Sequence, residues 1–247
     1  MGTLLAMVKS EFKLSLRGMD MVIFAVGMPL VVAVILGMIY GKQPAFAGAG
    51  FTFFEQSFGA LASIGVCAAG VMGLPLVVAD YRHKKILKRF HVTPVSPVLI
   101  LVAQVIVNMF YSLMSLILIY VVSALFFGFQ LVGSVLGFLG AYLLVMLSIY
   151  SLGMMVAGVA ADMKTANLLC VVLYFPMLIF SGATLPYEVM PSALQRVADF
   201  MPLTQGIKLL KGAALGMPVE NVLAPLVVMV ALTAVCITVS VRYFRWE

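Results

Sequence analysis

The chain has 247 residues, of which 64% are hydrophobic and 10% are charged, and its formal net charge is +6 at pH 7. This composition, with a mean hydropathy of +1.18, excludes a water-soluble globular protein, in which about a quarter of the residues are charged. It predicts an all-α, polytopic membrane protein, because helices satisfy their own backbone hydrogen bonds in lipid.

The first segment, residues 1–18, is predicted to form an amphipathic interfacial helix. At about 100° per residue, Lys9, Lys13 and Arg17 fall on one stripe, and Glu11 is the one misfit among the apolar residues on the opposite side. The pattern is typical of a helix that lies flat on the membrane surface. An anchor that only sets the orientation of the chain is the alternative.

Six apolar stretches are long enough to cross a bilayer, which takes about 20 helical residues. They cover residues 21–40, 58–79, 98–127, 132–160, 166–183 and 222–241. If both termini are cytoplasmic, eleven of the fifteen Lys and Arg residues lie on the cytoplasmic side, as the positive-inside rule requires. Residues 1–247 are therefore predicted to form a single transmembrane domain with both termini in the cytoplasm.

The loop between the second and third spans, residues 80–97, reads DYRHKKILKRFHVTPVSP and is predicted to be cytoplasmic. As one continuous helix over 80–92, it would group Ile86, Leu87 and Phe90 within an arc of about 100°. Two interpretations of this amphipathic loop remain open. It contacts anionic lipid, or it docks into a groove of a soluble partner. The opposite face carries five basic residues, Arg82, Lys84, Lys85, Lys88 and Arg89.

Polar residues are scarce within the spans, and Gln104 and Asn108 stand out because a spacing of four places them on one face of the third span. They either hold helices together or line a translocation pathway. The sequence has no acidic pair at helical spacing inside a span, no metal-ligand spacing and no nucleotide-binding motif. The chain is therefore predicted not to be an enzyme by itself and to carry no metal or other cofactor.

The segment between the fifth and sixth spans, residues 184–218, is half apolar and divided by prolines. It predicts one short helix between Pro191 and Pro202 and a second helix over about 204–215. Helices too short to span the bilayer indicate a re-entrant pair on the outer side, which requires protein or a water-filled cavity around it. A gate that includes Gly182 and Pro186 is the functional interpretation, and a connector lying on the surface is the alternative.

Several features in this order resemble one known family. They are the basic amphipathic N-terminal helix, the six spans, the 80–97 loop closing on TPVSP (93–97), the FSG…LP…MP sequence (180–191) and PLTQGIKLLKG (202–212). Together they resemble the permease subunit of ABC-2 type bacterial exporters, and the resemblance covers essentially the whole chain.

The resemblance implies a permease of the bacterial cytoplasmic (inner) membrane that exports a lipophilic or amphipathic small molecule such as a drug or antibiotic. It also implies that the basic loop contains a coupling helix, which docks to a separate ATP-binding cassette ATPase that holds ATP and Mg²⁺. A second copy of the chain, or a homologous permease, would complete the pathway, and nucleic acid is not an expected partner. Export of a polysaccharide or lipid-linked glycan is one alternative, and a membrane anchor that recruits a soluble partner without transport is another.

Overall fold

The computed structural model describes residues 2–41, 43–45, 50–90, 96–182, 187 and 190–243. Within the helices, the side chains of residues 89, 90, 97 and 219–221 lie outside this description. The described parts of the chain are helical apart from turns, short connections and one isolated bridge between Pro44 and Thr52. This confirms the all-α fold.

The helices are numbered in chain order, beginning with α1 (Gly2–Gly18). The next three are α2 (Val22–Tyr40), α3 (Phe53–His83) and the short α4 (Ile86–Phe90). They are followed by α5 (Pro97–Phe127), α6 (Val135–Val159) and α7 (Met163–Phe180). The last three are α8 (Ser192–Asp199), α9 (Pro202–Leu215) and α10 (Val219–Tyr243). Six of these, α2, α3, α5, α6, α7 and α10, are long and apolar enough to cross a membrane.

Side-chain caps fix the start of several spans. The Thr52 hydroxyl accepts a hydrogen bond from the Glu55 backbone N–H at 3.1 Å, and the Glu55 carboxylate accepts one from the Thr52 N–H at 2.7 Å. This capping box starts α3 five residues before the predicted position 58. Asp162 starts α7 in a similar way, because its carboxylate accepts from the Thr165 N–H at 2.7 Å.

Helices α2 and α3 each contain one turn of π-helix, at Val22–Gly27 and Ala68–Gly73. A proline stands two residues after each turn, and proline neither donates a backbone N–H nor fits against the carbonyl of the preceding turn. The N–H of Leu74 accordingly bonds to the carbonyl of Ala69, five residues back. The two π-helical turns contact each other, and such turns are frequent at functional sites.

Helix α3 forms the centre of the bundle and is the most buried of the six spans. It packs against α2, α5, α6 and α9. Glycine permits the closest of these contacts, because a Cβ atom on Gly153 of α6 would lie 1.9 Å from the carbonyl oxygen of Gly70 of α3. The long helix α10 also packs extensively against α6.

Helix α1 packs on α5, where the ring of Phe12 stacks on Tyr111 with 5.7 Å between centroids. Its basic residues Lys9, Lys13 and Arg17 are exposed. The helix therefore has one face against the bundle and one cationic face that is free to contact the surroundings.

Candidate functional site

The basic loop between α3 and α5 does not form the single helix over 80–92 that the sequence predicts, and this prediction is wrong. Helix α3 ends at His83, and α4 begins at Ile86 after a two-residue turn. Lys85 in that turn has a φ of 57°, which lies in the left-handed region and breaks the helix. The break rotates the two halves of the loop relative to each other, so a single helical plot misplaces their faces.

Arg82 was predicted to lie with the other basic residues on the partner-docking face, but its side chain is buried. Its guanidinium donates hydrogen bonds to the backbone carbonyls of Ala160 and Ala157, at 2.6 and 2.8 Å. These carbonyls lie at the C-terminal end of α6, where helices have carbonyl groups without partners of their own and favour cations. Arg82 therefore ties the basic loop to α6.

The other predicted docking residues divide into buried and exposed groups. Leu87 is completely buried, and Ile86 is half-buried, because α4 packs against α3 and α5. The exposed group consists of Lys84, Lys85 and Lys88, which we call the lysine surface. The side chains of the remaining two predicted docking residues, Arg89 and Phe90, lie outside the described part of the chain.

Behind the basic loop, a cavity of about 650 Å³ lies between α1, α2, α3, α5 and α7. Most of its wall is apolar, and both π-helical turns contribute to it, through Phe24 from α2 and Met72 from α3. We call it the polar-walled cavity because several polar groups interrupt the apolar lining, among them those of Glu11, Asp20, Asp80, Tyr81, Gln104 and Asn108.

Three polar residues of this cavity join three helices. The Gln104 side-chain amide of α5 donates to the Glu11 carboxylate of α1 at 2.5 Å and to the Tyr81 hydroxyl of α3 at 3.2 Å. Tyr81 donates to the same carboxylate oxygen of Glu11. Gln104 thus joins helices through hydrogen bonds and also lies on a cavity wall.

Asn108, the other candidate for the pathway lining, lies one turn along α5 and is also buried on the cavity wall. Its side-chain amide donates to the backbone carbonyl of Gln104 at 2.9 Å.

Glu11 is the functional candidate that sequence reasoning missed. Burial raises the pKa of its carboxyl above the ordinary value, against the lowering effect of the hydrogen bonds from Tyr81 and Gln104. The signal was present in the sequence, because Glu11 is the misfit in the amphipathic pattern of α1. A charged residue on the apolar face of a helix has to find polar partners elsewhere in the fold.

The opposite end of the bundle carries the two short helices predicted there, α8 and α9. Helix α9 packs against α3, α6 and α10, and its inward side chains are buried. Pro202 is the first residue of α9, Pro191 precedes α8, and Gly182 has a φ of 91° that favours glycine. Pro186, the fourth predicted gate residue, lies outside the described residues.

A polar cluster fastens α8 to α9. The Asp199 carboxylate accepts from Lys208 at 2.6 Å and from the Tyr187 hydroxyl at 2.9 Å. Although partial burial acts to raise the pKa of Asp199, the hydrogen bonds from Lys208 and Tyr187 lower it below its ordinary value. The ammonium of Lys208 also lies 4.4 Å from the centre of the Tyr187 ring.

The described residues contain no group of three or more His, Cys, Asp or Glu side chains that could hold a metal ion. The three cysteines, Cys67, Cys170 and Cys236, are buried free thiols.

Comparison with known proteins adds a family and two relatives. The model of the ABC-2 type transporter family matches residues 3–215. Nodulation protein J of Rhizobium leguminosarum bv. viciae is 37% identical over 76 residues, which are 31% of this chain and 29% of that protein. Nodulation protein J of Neorhizobium galegae is 31% identical over 98 residues, which are 40% of this chain and 35% of that protein. The chain thus matches about a third of the length of each curated relative.

Proposed function

The chain belongs to the ABC-2 type transporter family, and from this premise we propose that it forms the membrane path of an ATP-driven exporter in the bacterial inner membrane. Membrane permeases of this family are transporter components, and the ATPase is a separate ATP-binding cassette subunit. ATP and Mg²⁺ would accordingly be held by that partner. The basic end of the bundle, with both termini, would face the cytoplasm, where the partner is.

The observation that carries the proposal is the unbroken set of contacts between the lysine surface and the polar-walled cavity. Helix α4 packs on α3 and α5, and Arg82 at the end of α3 holds the end of α6 through two hydrogen bonds. Tyr81, the residue before Arg82, is part of the cavity wall. A displacement of α4 by a docked ATPase would therefore move α3 and α6 together and change the shape of the cavity.

The proposed cargo is a lipophilic or amphipathic small molecule such as a drug or antibiotic. A cavity of about 650 Å³ lies within the range of roughly 300–1,000 Å³ that holds molecules of this size, and its wall is mostly apolar. Export of a polysaccharide or lipid-linked glycan is the second candidate. It is favoured by the names of the two curated relatives, which refer to nodulation and not to drug export.

The proposed assembly contains two permeases, as a homodimer or with a homologous chain, above two ATPase subunits. Helices α2, α7 and α10 are the least buried of the spans, so their apolar outer faces are available for lipid or for a second permease. On the outer side, Gly182, Pro186, Pro191 and Pro202 would allow α8 and α9 to act as a gate.

The test is co-expression of the chain with a candidate ATP-binding cassette subunit. Reversing the lysine surface with Lys84→Glu, Lys85→Glu and Lys88→Glu together should lower co-purification of the ATPase and ATP-dependent uptake of a lipophilic dye into inverted vesicles. The control replaces the same three residues by arginine, which preserves their charge. A protease-accessible C-terminal tag checks that both variants keep their orientation. Unchanged co-purification and uptake after charge reversal would contradict the proposal.

A further inference from the structure

The described lining of the polar-walled cavity contains acidic side chains and no basic side chain that would balance their charge. The described residues that line it include Glu11, Asp20 and Asp80 but no Lys, Arg or His. Asp80 is paired with Lys84 at 2.8 Å, outside the lining. No ion pair involves Glu11 within the described ranges, and its neighbours one turn away on α1, at positions 7, 8, 14 and 15, are uncharged.

A second, independent feature of the same wall is an unused hydrogen-bond acceptor. Asn108 is 2% exposed and lines the cavity. Its amide nitrogen donates to the Gln104 backbone carbonyl at 2.9 Å, whereas its Oδ1 atom has no hydrogen-bond partner in the described part of the chain. Buried acceptors without partners are rare, because they lose their bonds to water without replacement.

The structural role of Glu11 does not account for its charge. Its carboxylate accepts hydrogen bonds from Tyr81 and Gln104, and the amide oxygen of a glutamine could accept the same bonds without placing an anion in a partly desolvated site. Burial raises the pKa of Glu11, which means that the charged form lacks full compensation in the free chain. A bound cation would supply that compensation.

The Asn108 Oδ1 atom lacks a hydrogen-bond partner in the described part of the chain, the Glu11 carboxylate has no basic residue beside it in the described lining, and most of the surrounding wall is apolar. A matching ligand therefore donates hydrogen bonds, carries positive charge and has an apolar body. We propose that the polar-walled cavity binds an amphipathic organic cation, with an ammonium, amidinium or guanidinium group at Glu11 and Asn108 and its apolar body against Phe24, Met72 and Phe175. The assignment of this cation as the exported cargo rests on the proposed function, but its binding does not require the ATPase.

The experiment uses the full chain in phosphatidylcholine nanodiscs, without a partner, and two probes of similar shape. One is the fluorescent aromatic diamidine DAPI, and the other is its neutral parent, phenylindole. The wild-type chain should bind DAPI more tightly than phenylindole. Glu11→Gln should weaken DAPI binding by about tenfold, because a charge-assisted contact is lost, and should leave phenylindole binding unchanged.

The matched control is Glu55→Gln, which also removes one negative charge but lies in the first turn of α3 and outside the cavity lining. Glutamine also serves in a capping box, so this variant should fold and bind DAPI as the wild type does. Asn108→Ala provides a second measurement that is independent of Glu11, and it should weaken DAPI binding several-fold by removing the free acceptor. Equal affinity of the wild type, Glu11→Gln and Asn108→Ala for DAPI overturns the site, as does equal affinity of the wild type for the two probes.

The same variants separate this proposal from the proposed function. Selective DAPI binding by the chain, in a complex that exports nothing, would support the site and overturn the export function. Active export by a complex whose Glu11→Gln variant binds DAPI as tightly as the wild type would overturn the site and leave the export function in place.

Discussion

The Nη1 atom of Arg82 lies 2.6 Å from the carbonyl oxygen of Ala160, although the two residues are 78 positions apart in the chain. Ala160 is the C-cap residue that directly follows α6. The contact caps buried carbonyl groups at the C-terminal end of that helix and fixes it to the loop that carries the lysine surface. One side chain thus connects the proposed docking element with a second transmembrane helix.

Replacing Arg82 by leucine should destabilise the protein. The substitution leaves two carbonyl groups at the end of α6 without their charged donor, and hydrogen bonds to charged groups contribute roughly 1.5–3 kcal/mol. Thermal unfolding of the purified chain should therefore show a clearly lower Tm. Lys84→Ala, which removes an exposed cation two residues away, should change the free energy of unfolding by less than about 0.5 kcal/mol. An equal decrease of Tm in the two variants would show that the hydrogen bonds of Arg82 contribute no more to stability than the exposed Lys84 side chain does.

Leu87 is expected to act as a packing residue, because it is completely buried. Leu87→Ala should lower the free energy of unfolding by about 2–4 kcal/mol, as large-to-small changes in a packed core do. The measurement is again thermal unfolding, combined with co-purification of the ATPase. A variant with normal Tm and no bound ATPase would instead show that Leu87 reaches the partner directly, as the continuous-helix interpretation of the loop predicts.

The spans were predictable because twenty or so apolar residues in a row have few structural alternatives in a membrane protein. The loop after α3 was not, because a helical plot assumes an unbroken helix, and the left-handed conformation of Lys85 has no signature in the residue type. The Glu11 cluster was also beyond sequence reasoning, since its partners Tyr81 and Gln104 are 70 and 93 positions away. Only the misplaced charge on α1 indicated that such partners exist.

Gly153 should be intolerant of even one added methyl group. A Cβ atom at this position would lie 1.9 Å from the backbone carbonyl oxygen of Gly70, so α3 and α6 would have to move apart. Gly153→Ala should cost about 1–3 kcal/mol of stability, the usual range for overpacking. Gly140→Ala in the same helix is the control, because nothing lies within 4 Å of its added Cβ. It should be neutral or slightly stabilising, and a similar loss in both variants would contradict the close contact.

The cluster of Tyr187, Asp199 and Lys208 should make the stability of the outer helices depend on pH. The pKa of Asp199 is lowered in the folded chain, so its contribution is complete above the unfolded pKa of about 3.9 and is lost as pH falls through the folded value. Burial acts to lower the pKa of Lys208, but the bond to Asp199 raises it overall. Its contribution is therefore complete below an unfolded pKa of about 10.4 and is lost as pH rises through the folded value.

Asp199→Asn should accordingly reduce the Tm between about pH 5 and pH 9. The difference from the wild type should shrink as the pH falls below about 4, because the unfolded wild-type chain then takes up the proton first, and it should vanish once the pH is below the lowered folded pKa of Asp199. The effect should be modest, since both side chains are more than a third exposed and solvent screens the pair. Tyr187→Phe is the matched control, because it removes one hydrogen bond to Asp199 and keeps the ring under Lys208. The decrease of Tm in Tyr187→Phe should be smaller, and the stability of this variant should still fall at low pH as that of the wild type does. A loss in Asp199→Asn that stays constant from pH 7 to pH 3 would show that the aspartate stabilises the fold by its shape and not by its charge.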